Sequence, residues 1–109
     1  MDTPHWHGYS YLRHEHPPAY TYRTLLAQSA REIKTTVTTP EDGLTWLAQR
    51  LEEHPMREGD MPADTKLEWA EVSLRTPSDV VWGYPTGGRY AEQLLLLCQG
   101  TGCPAPPAR

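Results

Sequence analysis

The stretch "TTPEDGLTWLAQRLEEHP" constrains the fold most, because it carries a helix start, one apolar stripe and a helix stop. Thr39 can cap the helix, Pro40 suits its first position, and Glu41 and Asp42 place negative charge against the positive end of the helix dipole. Leu44, Leu47, Ala48 and Leu51 recur at i, i+3, i+4 and i+7, which gathers them on one face, and Pro55 ends the run. The spacing predicts a helix over 40–54, with Trp46 at the edge of its stripe. Such a helix needs a partner surface to bury that stripe, and the flanking segments supply candidates.

Before the helix, Ile33, Thr35, Val37 and Thr39 share one strand parity in a segment rich in β-branched residues, so a strand is expected to lead into the helix. Further upstream, an antiparallel pair centred between residues 15 and 16 would set Tyr9 and Tyr11 opposite Tyr22 and Tyr20. The competing reading makes "YRTLLAQSAREIK" a helix with Leu26, Ala30 and Ile33 on one face; strands are preferred. After the helix, "MREGDMPADT" reads as a mobile connection. "KLEWAEVSLR" fits a strand with Ala70, Val72 and Leu74 inward, or a short helix begun by Thr65 and Glu68 as a capping box. "TPSD" is a turn signal, Val80, Val81, Trp82 and Tyr84 favour strand, and Gly87-Gly88 is a two-residue hairpin signal. The run "AEQLLLLC" after that turn is taken as a returning strand, although its composition also suits a helix ending at Gly100. The expected architecture is an α+β domain over 1–99, with a mostly antiparallel sheet of about five or six strands packed against one principal helix. The segment "GTGCPAPPAR", residues 100–109, offers little to bury and is expected to be a disordered tail.

A chain of 109 residues can bury about two-thirds of the surface it exposes when unfolded, enough for one modest core. Phe is absent while four Trp and six Tyr are present, so the aromatic bulk carries N–H and O–H groups and is expected near the boundary of core and surface. The net charge is −4 and the ten basic residues form no run or stripe, which argues against nucleic acid as the main partner. No segment reaches the roughly 18 apolar residues of a spanning helix. The N-terminal residues lack a secretory pattern, so the expected setting is soluble and cytoplasmic. The two cysteines, Cys98 and Cys103 in "CQGTGC", suit a small disulfide loop or half a zinc site, but in a reducing compartment they read as free thiols.

The most specific chemical feature is "HWHGYSYLRHEH", which holds four of the five histidines in two His-x-His pairs. On a strand, His5 and His7 share one face, and so do His14 and His16, so either pair can offer neutral imidazoles to Zn²⁺ or Ni²⁺. The two pairs have opposite parity. A four-histidine site therefore requires a bulge at Gly8 or a hairpin tip beginning near Arg13, and the same pattern suits ordinary surface histidines. Ordinary surface histidines are preferred and no cofactor is expected, with zinc the alternative if the pairs converge.

No nucleophile elbow or P-loop is present, and the carboxylates Glu52, Glu53, Glu68 and Glu71 read as solvated surface, so an enzyme is not the favoured reading. Trp69, Trp82, Tyr84 and Tyr90 cluster in the last third. They form either a ligand or partner patch, if Trp82 and Tyr84 share a face with Tyr90, or a core built without Phe. The leading expectation is a non-enzymatic accessory protein that recognises a protein partner through a sheet face or edge. A metal-binding protein or metal-dependent enzyme using the histidines comes second, and a small-molecule binder with a pocket between helix and sheet third.

Overall fold

The capped stripe forms the helix it encodes. In the computed structural model, which describes residues 4–14, 33–57 and 61–98, helix α1 spans Pro40–Glu53, and the Thr39 hydroxyl accepts the Asp42 N–H at 3.1 Å. Leu47 and Leu51 are buried and Leu44 packs at the margin. Strand β1 is His5–Arg13, and β2, Thr35–Val37, leads into α1. A second helix, α2, covers Ala63–Arg75, followed by β3, Val80–Thr86, and β4, Arg89–Cys98. The described sheet has the order β2-β1-β4-β3 with every pair antiparallel. Both helices pack on the same side of it. No helix among the described residues is long and apolar enough to cross a membrane.

The class is α+β with an antiparallel sheet, as expected, but with four described strands and two helices in place of five or six strands and one principal helix. One of the expected strands is α2. Ala70 and Leu74, its buried residues, are four apart, and that separation satisfies both strand parity and the helical repeat. Leu67, which also packs on the core, fits the helical spacing alone, while Val72, expected inward, is exposed on the far side of the helix. Lys, Leu, Glu and Ala favour a helix here. It starts at Ala63, capped by Pro62 without a side-chain bond, so the Thr65 capping box does not form. The tyrosine hairpin across residues 15 and 16, the alternative helix over most of 22–34, part of the connection at 56–65, and the tail at 100–109 lie outside the described residues.

β4 explains its own apolar run. It is paired on both sides, so Leu95 and Leu97 face the helices while Leu94 and Leu96 face the other way. The helix-side core joins Trp6, Val37, Val80, Trp82, Tyr84, Ala91 and Leu95 to Leu47, Leu51, Ala70 and Leu74. A second cluster on the opposite face holds Tyr9, Leu94 and Leu96, with Ile33 and Tyr11 beside it. Trp6, Tyr9, Trp82 and Tyr84 are thus buried rather than at the core boundary. Polar partners make this tolerable for two of them: the Trp6 indole donates to the Ser78 carbonyl at 2.9 Å and the Tyr84 hydroxyl to the His54 carbonyl at 2.8 Å.

Two glycine sites set the geometry. Gly87 and Gly88, at φ 53° and 79°, make the tight turn between β3 and β4. Gly8 makes no bulge, because β1 stays in register with β2 and β4 on either side of it. A Cβ there would stand 2.6 Å from the Thr35 methyl and 3.1 Å from the Trp46 ring, so the glycine lets a tryptophan of α1 lie against the strand.

Candidate functional site

Two places in the fold invert the usual rule of apolar inside and polar outside. The first lies on the sheet face turned away from the helices. His5 and His7 project to that face by strand parity, and β4 places Cys98 opposite His5 and Leu96 opposite His7. The ligand atoms of His5, His7 and Cys98 all fall within 4.8 Å of one another. The two imidazoles meet edge to face with centroids 4.9 Å apart. On the other flank, β2 sets Thr36 opposite His7, and the Thr36 hydroxyl lies 3.0 Å from His7 Nδ1. Three strands therefore contribute to one corner, and their backbone ladders hold it.

His5 and His7 are buried and Cys98, the last residue of β4, is partly exposed. Burial pushes the His7 imidazole below its ordinary value of 6.5, and the neighbouring His5 charge lowers it further. Neutral imidazole is also the form that binds metal. His14 is exposed beyond the other end of β1, roughly 20 Å from His7 at the rise of a strand, and His16 lies outside the described residues. The first pair thus meets a cysteine and stands far from His14. The sequence offers Cys98 either Cys103 or a distant histidine as a neighbour and does not choose between them, because its approach to His5 depends on strand register between the two ends of the chain. Local spacing does not encode that register.

The second inversion lies along α2 and β3. Trp69 is 61% exposed, Val72 69% and Val81 49%. Trp69 and Val72 are one helical turn apart, and Trp69 and Val81 line a cleft of about 400 Å³ together with Lys66, Ser73 and Trp82. This cleft, between helix and sheet, is where a small-molecule pocket was expected. Of the aromatic set, Trp82 and Tyr84 belong to the helix-side core, with the Lys66 ammonium 5.2 Å and 5.9 Å from their ring centroids. Tyr90 pairs with Pro85 on the opposite face and lies over Gly83. The patch of Trp82, Tyr84 and Tyr90 therefore does not form, and Trp69 is the member that faces outward.

β3 is an edge of the described sheet. Its two-residue turn closes on Thr86 and Arg89, so the ladder to β4 recurs at Tyr84, Trp82 and Val80. Val81, Gly83 and Pro85 consequently point their main-chain groups away from β4. Val81 and Gly83 are exposed, and each carries an outward N–H, while Pro85 carries only an outward carbonyl. Comparison with protein-family models, with curated proteins and with solved structures gives no match. The functional reading rests on these two places.

Proposed function

We propose that this chain is a non-enzymatic recognition protein that accepts an extended segment of a partner protein along the outer edge of β3. The carrying observation is the coincidence of that edge with two exposed large apolar side chains, Trp69 and Val81, which line one cleft. A row of outward N–H and C=O groups is best satisfied by another strand, and the side chains beside it give such a strand something to grip. A helix laid into the same cleft would satisfy none of those backbone groups. Trp69 is the anchor in this reading, since tryptophan combines large contact area with few rotatable bonds. Pro85 removes the donor near the turn and confines strand addition to the Val81–Gly83 end.

The test is peptide display against the full chain, followed by solution binding of the selected sequences to three proteins: wild type, Val81→Pro and Trp69→Ser. Val81→Pro deletes an outward donor while leaving the bonds to β4. Both variants should bind the selected peptides at least tenfold more weakly, and the Gly83 amide should gain exchange protection in the wild-type complex. Peptides that bind all three proteins equally, or a library that yields no binder, would remove the edge from consideration.

A further inference from the structure

We infer that His5, His7 and Cys98 form a transition-metal site for a zinc-type cation, separate from the β3 edge. Two imidazoles and a thiolate are the donor set that a borderline-soft d¹⁰ ion takes, and hard cations such as Mg²⁺ and Ca²⁺ prefer oxygen. Tetrahedral coordination at about 2.0 Å to nitrogen and 2.3 Å to sulfur puts neighbouring donors roughly 3.3–3.7 Å apart. The observed spread, within 4.8 Å, is about 1 Å wider than that range, so a bound ion would draw the three donors together.

The scaffold argues for a built site rather than a chance cluster. The i, i+2 pair on β1 faces one way, the register with β4 brings Cys98 across from His5, and Thr36 on β2 holds His7 through Nδ1. When Nδ1–H donates to that hydroxyl, Nε2 is the nitrogen left to ligate, the arrangement by which a polar partner orients a metal-bound histidine. Donors from strands of one sheet are positioned more sharply than donors from loops. Binding displaces the thiol proton to solvent, the cation replacing it on sulfur, and a fourth donor completes the tetrahedron.

The experiment uses the full, untagged chain with Co²⁺ as a spectroscopic stand-in and Zn²⁺ as competitor. Titration should give one ion per chain, with a thiolate-to-cobalt charge-transfer band and the intense visible bands of tetrahedral cobalt, and one equivalent of Zn²⁺ should abolish both. Cys98→Ser should lose the charge-transfer band, while Cys103→Ser and His14→Ala keep it. His5→Asn and His7→Asn should each weaken Zn²⁺ binding by tenfold or more in calorimetry, with amide spectra confirming that the variants fold. A band that survives Cys98→Ser but not Cys103→Ser overturns the assignment. So does wild-type protein that binds Co²⁺ without any thiolate band, or a zinc affinity unchanged by either histidine substitution.

Discussion

The His5–His7–Cys98 corner and the Trp69–Val81 edge break the same rule in opposite directions. At the corner, polar side chains sit where a sheet face would ordinarily bury leucine; at the edge, tryptophan and valine stand in solvent. Helix α1, by contrast, keeps local pattern, propensity and burial in agreement from its Thr39 cap to its buried Leu51. Sites that sacrifice this agreement are where function is expected, because a sequence selected for folding alone has no reason to retain them. The two differ in what they can recognise. The corner fixes a few atoms within 4.8 Å and suits an ion, whereas the edge offers repeated backbone groups and apolar surface and suits a chain.

The largest expected effect calibrates both places against the regular core. Leu47 is fully buried on α1, between α2 and the sheet, so Leu47→Ala should cost about 2–5 kcal/mol in urea unfolding. A loss below 1 kcal/mol would mean that the helix-covered face does not carry the stability, and the contrast between core and functional places would lose its baseline.

A smaller effect separates the corner from that core. His7 is held neutral by burial, with His5 adding to the lowering and Cys98 beside them both. Because its folded value lies below 6.5, the unfolded chain takes up a proton first as pH falls. The stability linked to His7 is therefore complete above about pH 6.5 and is lost on acidification through the window between 6.5 and the lower folded value. In metal-free protein with chelator present, the urea midpoint should fall between pH 7.5 and pH 5.5, and the fall should be shallower in His7→Leu. At pH 7.5 that substitution removes the bond to the Thr36 hydroxyl and should cost about 0.5–1.5 kcal/mol. Identical pH slopes in the two proteins would show that His7 does not resist protonation in the fold.

How much of this was legible in the sequence follows from the range of the interactions. α1 was readable because cap, first-turn charge, stripe and stop all lie within its own residues. The Gly87-Gly88 hairpin was readable for the same reason, and the turn in turn identified β4 as a strand. α2 was ambiguous because its two buried residues fit both periods. The corner was half readable: parity put His5 and His7 together, but only the pairing of β1 with β4 brings in Cys98. The outward direction of Trp69 depended on recognising α2 as a helix, since a strand centred on Ala70 and Leu74 leaves Trp69 merely on the other face of a sheet.

The smallest expected effect is the sharpest test of the edge. Trp69 and Val72 are exposed on α2, and neither belongs to the core packed around Ala70 and Leu74. Trp69→Ser and Val72→Ser should each change unfolding free energy by no more than about 0.5 kcal/mol, because exposed side chains far from caps and cores contribute little. Serine, tryptophan and valine have nearly equal helix propensities, so the exchange itself adds no further cost to α2. A chain that retains these residues for folding would show the opposite result, a loss approaching that of Leu47→Ala. Measured side by side in urea at one pH, a near-zero change at Trp69 and Val72 against several kcal/mol at Leu47 would leave recognition as the reason for exposed tryptophan, whereas comparable losses would return the patch to the core.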